Sequence, residues 1–246
     1  MRKKNALFVA LVITFVIAGN YLFFYDFSEF NREMVVISRV LDGDTVELDD
    51  GRVIRMLNIN TEEKGRAWSD EARSFLEGFQ NKSVELEITG IEKYGRILGR
   101  LYSEEYINLE IVRLGLGHVY LAGDDELNEF KDAESEAKRN GLGIWKPSEF
   151  SECLNVEINK YDEYVIISND CGIDFKDWSI KDESTKRYVL KSHEDSEKLV
   201  LYSGKGEDKK GEMYWGAAGN VWNNDKDAIF IRDAKGLLAY YDSYGY

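Results

Sequence analysis

Asp42 and Asp44 stand two residues apart in VISRVLDGDTVEL, residues 36–48, where strand-forming apolar residues otherwise prevail. On a strand they would share a face. Carboxylates held that close repel unless water screens them or a cation lies between them. The motif is therefore either a solvated turn between two strands or a place for a cation. Downstream, RVIRMLNINTEEKGR ends an apolar run on Asn60, Thr61, Glu62 and Glu63, and EKYGRILGRLY sets Lys93, Tyr94, Gly95 and Arg96 at a turn into a strand. A hard cation held by oxygen ligands polarises a phosphoryl oxygen. A carboxylate base directs water at phosphorus, and arginines clamp the charge that builds on the equatorial oxygens. These are the residue types that phosphodiester hydrolysis needs. Singly, each has a plainer reading: a turn, or an arginine in a surface ion pair.

The elements that must position them read as strands first, then helices, from Met34 to about Trp145. MVVISRVL, TVEL and VIRMLNI are strand-like, with Asp49-Asp50-Gly51 as the hairpin signal between the last two. SDEARSFLEGF places Ala72, Phe75, Leu76 and Phe79 on one helix face. Ser69 is the expected N-cap, with Asp70 and Glu71 in the favourable first turn. SVELEITG and ILGRLYS return to strand. INLEIVRLGLG is a short helix ended by glycine, and ELNEFKDAESEAKRNGLG a longer one stopped at Gly141. This order predicts an α+β domain built on a small curved barrel. The single proline, Pro147, marks a boundary near Ser148. Beyond it short strands alternate with turn clusters and no helical period appears, which predicts an all-β sandwich.

Taken together, in this order and spacing, the first module resembles the staphylococcal nuclease (thermonuclease) family. The resemblance rests on Asp42-Gly43-Asp44-Thr45, Arg55 to Glu63, Lys93-Tyr94-Gly95-Arg96, Val112-Arg113-Leu114-Gly115-Leu116-Gly117, and Ala137 through Gly141 to Trp145, about half the chain. It implies an OB-fold barrel with three helices and calcium-dependent cleavage of DNA, RNA or both. Asp44 matches the direct calcium ligand, Asp42 the outer-shell acid, and Thr61 the residue whose carbonyl binds the ion. Glu63 matches the general base, Arg55 and Arg96 the phosphate clamp, and Lys93, Tyr94 and Tyr120 the substrate-binding positions. Two residues depart from the pattern. Asn60 stands where the family has a second aspartate ligand, and an amide oxygen binds calcium more weakly. Glu62 stands where the family has proline, and it restores charge to the site if its side chain turns inward. The rival to an active nuclease is a weakened or inactive nucleic-acid-binding surface protein. A third reading is an envelope adhesion protein in which the barrel is a spacer.

The second module is similar to the lamin-tail domain, an immunoglobulin-like sandwich. That likeness implies binding or anchoring to nucleic acid, membrane or envelope. Trp178, Trp215 and Trp222 are expected in its packing. Residues 223–227, Asn-Asn-Asp-Lys-Asp, read as a turn capping its own amides. His118 and His193 sit in no motif.

Composition sets the outer bounds. Among 246 residues, 12 Phe, 15 Tyr and 5 Trp against one Pro describe a folded chain. The formal net charge of −14 argues against indiscriminate nucleic-acid binding, while leaving room for a local basic cleft. Arg2, Lys3 and Lys4 precede an apolar stretch at 6–25, about the length that spans a bilayer. The expectation is a single transmembrane helix, the rival a cleaved signal peptide. Both put the rest of the chain outside the cytoplasm, anchored at the membrane's outer face or secreted. Cys153 and Cys171 then form a disulfide, with two buried thiols as the alternative. The expected organisation is an anchor or signal at 1–26, a thermonuclease-like domain at 33–148 and a β-sandwich at 151–246, as a monomer.

Overall fold

The computed structural model describes residues 14, 32–92, 95–192 and 197–245. Strands β1 (Arg32–Asp42), β2 (Thr45–Leu48) and β3 (Val53–Met56) follow one another as antiparallel neighbours. The β2–β3 connection turns at Gly51, whose φ of 86° is left-handed, and the Asp50 carboxylate accepts from the Arg52 N–H. β5 (Ser83–Ile91) and β6 (Ile97–Tyr102) complete a closed barrel of order β1-β2-β3-β6-β5, the β3–β6 pair being parallel. Closure leaves no sheet edge, and the tilt it requires makes a small barrel whose interior is filled by side chains. Ile37, Val46, Ile54, Leu86 and Leu101 fill it, all fully buried.

Three helices accompany the barrel among the described residues: α1 (Ser69–Glu77), α2 (Ile107–Arg113) and α3 (Leu127–Arg139). On α1, Ala72 and Leu76 are buried, and Phe75 and Phe79 pack against the same core as the periodicity predicts. Its start differs from expectation. The cap is Trp68 in a left-handed conformation, and Ser69 instead donates its hydroxyl to the Arg66 carbonyl. Trp68 packs against the junction cluster described below, which compensates the cost of its φ. β4 (Ile59–Thr61) and β7 (Gly117–Val119) form a separate antiparallel pair beside the barrel.

The second module holds two four-stranded sheets, in the orders β11-β10-β14-β15 and β13-β12-β9-β8. The first joins β10 (Ser179–Lys181), β11 (Arg187–Val189), β14 (Asp227–Arg232) and β15 (Leu238–Tyr244). The second joins β8 (Leu154–Asn159), β9 (Tyr164–Asn169), β12 (Lys198–Tyr202) and β13 (Glu212–Tyr214). Trp178 and Trp222 are buried in its core and Trp215 packs against them. Asp227 accepts from the amides of Asn223 and Ala228 at 2.8 Å each, so the acidic turn caps itself. Cys153 and Cys171 are joined.

The modules are packed together. A third apolar cluster unites Ala137, Ile144 and Trp145 of the first with Ala228 and Phe230 of the second. Lys138 lies over both the Trp145 and Tyr241 rings, at 4.4 and 4.1 Å. The connection itself is paired, Ser148 N–H donating to the Leu238 carbonyl and Leu238 N–H to the Lys146 carbonyl.

The transmembrane helix expected from the sequence requires correction. Among the described residues no helix is long and apolar enough to cross a membrane. The longest, α3, has 13 residues and spans about 20 Å, short of a hydrocarbon core of about 30 Å. The stretch 6–25, on which both anchor and signal peptide were expected, lies outside the described residues except for Thr14.

The disulfide spans 18 residues of sequence, and a loop of that length restricts the unfolded chain by about 3 kcal/mol in the chain-entropy model. Replacing both cysteines by serine should lower the unfolding free energy from urea titration by about that amount, and the midpoint with it. An unchanged midpoint would assign the bond no part in stability.

Candidate active site

The Asp42-Gly43-Asp44 motif is a turn between β1 and β2, and a buried one. A Cβ on Gly43 would come within 2.7 Å of both the Ala72 Cβ and the Thr61 Oγ1, so helix α1 and strand β4 fit only against a glycine there. Asp44 is 7% exposed. Its Oδ1 accepts from the Thr45 hydroxyl at 2.9 Å, and its Oδ2 from the Thr61 N–H and hydroxyl at 3.1 and 3.2 Å. Arg55, on β3 across the hairpin, reaches the same Oδ2 at 3.1 Å. Arg55 is further anchored by donating to the Met56 and Ile59 carbonyls, at 2.7 and 2.9 Å.

Asp42, Asp44, Arg55, Asn60, Glu63, Arg96 and Tyr120 line one cleft of about 580 Å³. Five segments converge there because the closed barrel brings the ends of β1, β3 and β6 to one side, with β4 and β7 beside them. Arg96 pairs with Glu92, which also lines the cleft. Lys93 and Tyr94 lie outside the described residues.

The lining carries four carboxylates (Asp42, Asp44, Glu63, Glu92) against two arginines. Asp44 and Glu92 are paired with the arginines. No ion pair among the described residues reaches Asp42 or Glu63. Burial and the neighbouring Asp44 raise the Asp42 pKa above its usual range, although the Gly43 N–H opposes this. Partial burial, then Asp42 and Asp44, raise that of Glu63. Two uncompensated negative charges in one cleft suit a divalent cation of oxygen-ligand type. Among the described residues no three His, Cys, Asp or Glu side chains are grouped tightly enough to form a metal cage. The donor set therefore fits an ion held by one or two carboxylates and otherwise by water.

Both departures from the family pattern face the second module. The Asn60 amide donates to the carbonyls of Glu183 and Ser184, at 3.2 Å each, and its Oδ1 accepts from Arg55 at 3.2 Å. Asn60 is thus tied into the junction while it also lines the cleft. Glu62 turns away from the cleft altogether. It is 4% exposed, paired with Arg187 and, at 3.3 Å, with Arg232, both from the sandwich. Burial alone would raise its pKa, but Arg232, Lys181 and Arg187 outweigh this and hold it below the usual carboxylate value. The expectation that Glu62 adds charge to the metal site is corrected accordingly: its charge is consumed at the junction.

His118, without a role in the sequence reading, bonds the Glu183 carbonyl through Nε2 at 2.7 Å. The carbonyl only accepts, so Nε2 carries the proton. Burial first, and the nearby Lys181 second, push its pKa well below 6.5 and keep it neutral. Ser184 and Thr185 of the sandwich also line the cleft. Sequence reasoning missed them because they lie more than 120 residues beyond Asn60. The only signal was the pair of departures at Asn60 and Glu62.

The family model described as staphylococcal nuclease homologue matches residues 53–147. An uncharacterized endonuclease of Escherichia coli is 33% identical over 125 residues, 46% of this chain and 77% of that protein. An uncharacterized protein of Methanocaldococcus jannaschii is 29% identical over 162 residues, 52% of this chain and 77% of its own. The thermonuclease of Staphylococcus intermedius is 26% identical over 157 residues, 57% of this chain and 93% of its own.

Removing one member of a buried ion pair strands the others, at about 3–5 kcal/mol. Glu62→Ala should therefore destabilise the chain by that order at neutral pH in urea titration. The loss should shrink when Arg187 is already alanine, as a double-mutant cycle would record. Because the folded-state pKa of Glu62 is lowered, its contribution is complete above the ordinary carboxylate pKa. It fades as pH falls through the lowered folded value. A loss no larger than a surface pair's, at most about 1 kcal/mol, would show that the cluster does not hold the junction.

Proposed function

Since the chain belongs to the family of staphylococcal nuclease homologues, we propose that it is a nuclease hydrolysing phosphodiester bonds of DNA, RNA or both. The observation that carries this reading is the convergence of Asp42, Asp44, Arg55, Glu63 and Arg96 on one cleft. In it Glu63 takes a proton from the water that attacks phosphorus in line with the departing oxygen. Its raised pKa makes its carboxylate a stronger base than that of an ordinary glutamate.

Arg55 and Arg96 stabilise the charge that grows on the phosphoryl oxygens. Each guanidinium presents a planar fork that can donate twice to phosphate, which a lysine cannot reproduce. Arg55 is anchored by two backbone carbonyls and also meets Asn60 and Asp44 through Nη2, so it must release part of this set to donate to substrate. Arg96 must exchange Glu92 for substrate, and the pair is partly open to solvent, so the exchange costs on the order of 1 kcal/mol. Asp44 and Asp42 would hold the divalent cation, which we take to be calcium. Bound there, it supplies Lewis-acid polarisation of a phosphoryl oxygen and offsets the negative lining that would repel a polyanion.

The disulfide supports an exported location, because such bonds persist in oxidising compartments. The paired four-stranded sheets support reading the second module as lamin-tail-like. A second reading, a nucleic-acid-binding protein that does not cleave, draws on Asn60, an uncharged residue already committed to other bonds. Plasmid nicking with calcium, with chelator and after Glu63→Gln distinguishes the two: cleavage lost in both controls supports the nuclease, and no cleavage by the unaltered chain supports the binder.

Arg55→Lys and Arg96→Lys should each slow single-turnover cleavage at saturating substrate by about 10² or more, the usual loss of a transition-state donor. Parental rates in both would remove the clamp. The rate should also fall as pH drops through the raised pKa of Glu63, beginning above the ordinary 4.5 of a glutamate. Glu63→Gln should abolish that limb of the profile.

A further inference from the structure

The sandwich loop at 182–186 enters the cleft of the barrel, and its attachment is over-determined. From the barrel, Asn60 donates to two of its carbonyls and His118 to one of the same two. From the sandwich, Asp227 accepts from the Glu183 N–H at 3.1 Å. Within the loop, Asp182 accepts from the Ser184 N–H at 3.0 Å and the Lys186 N–H at 3.2 Å. A loop fixed from both modules and from within is a wall of defined position.

Two hydroxyl-bearing residues on that wall, Ser184 and Thr185, line the cleft with Arg55, Glu63, Arg96 and Tyr120. The Ser184 hydroxyl is already taken, 2.9 Å from each oxygen of Asp182. Thr185 is exposed, and its hydroxyl makes no hydrogen bond among the described residues. A neutral donor is suited to this position. The lining already carries more carboxylates than arginines, so a further anion would repel a phosphate backbone and a hydroxyl does not.

Resting on the nuclease reading, we propose that this loop is a substrate subsite. Thr185 donates to the sugar–phosphate backbone of the nucleic acid beside the scissile group, and Asn60 and His118 are the positioning residues that hold the loop in place. The sandwich is then part of the active site and not an appended module. Asn60 serves substrate binding through this contact, with a donor that an aspartate lacks.

The test uses the full chain and two readouts. One is binding of a short fluorescein-labelled oligothymidylate in chelator, followed by anisotropy; the other is steady-state cleavage with calcium. Thr185→Val should weaken binding about five-fold, the worth of one hydrogen bond, raising KM and leaving kcat unchanged. Thr185→Glu should weaken it further. Thr185→Arg should tighten it, with a salt dependence steeper by about one phosphate contact. Asn60→Asp sets a carboxylate against two carbonyls and frees the loop. It should weaken binding at least as much as Thr185→Val, and adding Thr185→Val to it should cost little more. Denaturation midpoints of the Thr185 variants should match the parent, since the side chain is exposed.

If the parent binds and cleaves while all three Thr185 variants behave as the parent does, the loop does not touch substrate and the proposal is overturned. If Asn60→Asp binds more tightly than the parent, Asn60 is not a positioning residue for this loop, and that part falls. If the parent binds the oligothymidylate without cleaving, the nuclease reading fails while the Thr185 variants still decide the subsite. A parent that neither binds nor cleaves removes both.

Discussion

The structure turns on one buried carboxylate. Glu62 is almost fully removed from water and meets Arg187 and Arg232 across the junction between barrel and sandwich, with Lys181 close enough to add to their field. Taking an unpaired carboxylate out of water costs several kcal/mol, so this arrangement persists only while both modules are in place. The converse holds as well. Burial pushes the Lys181 pKa down to about 8, and Glu62 is the foremost influence opposing that push. The apolar cluster of Trp145 and Phe230 supplies non-directional adhesion, while Glu62 fixes register, because only one relative placement pairs it with both guanidinium groups.

Register at the junction decides what stands in the cleft. Glu62 and Glu63 are consecutive residues just past β4, and the chain sends the first into the seam and the second to the rim of the site. Any slip of the sandwich would move the 182–186 loop, and with it the carbonyls that Asn60 and His118 hold. The hydrophobic packing, the ion cluster and the backbone contacts thus act on one rigid relation between the modules. The local conflict between Asp42, Asp44 and Glu63, which raises two of their pKa values, is kept in place by this surrounding order. A flexible site would let the carboxylates move apart.

Much of this was legible in the sequence where the physics is local. The alternation that marks β1 to β3, the Asp49-Asp50-Gly51 turn and the apolar face of α1 depend on neighbours a few residues away, and each is found. The convergence of Asp44, Arg55, Glu63 and Arg96 was legible only through resemblance, since closure of a barrel is not written in any one segment. Ser69 shows how packing overrides capping: its neighbour Trp68 takes the cap position in a left-handed conformation because the indole is needed at the junction. Asn60 and Glu62 were recognised as departures, but their bonds across the junction were not foreseen. Their partners lie in another module, and no local pattern names them.

Those two residues admit a single physical account. At position 60 an aspartate would bring charge to a cation but could only accept hydrogen bonds, and what faces it from the sandwich is two carbonyl oxygens. Two acceptors require a donor, and asparagine supplies one at nearly the same size. At position 62 a proline carries no charge, whereas the facing residues are two arginines and a lysine that must be neutralised once water is excluded. In each case the second module sets a chemical demand that the observed residue meets. The four residues Asn60-Thr61-Glu62-Glu63 therefore divide their work by alternation along an extended segment. Asn60 and Glu62 hold the sandwich, while Thr61 braces Asp44 and Glu63 reaches the cleft. One short stretch couples the domain junction to the site, so the charge given up at position 60 is the consequence of building the cleft from two modules instead of one.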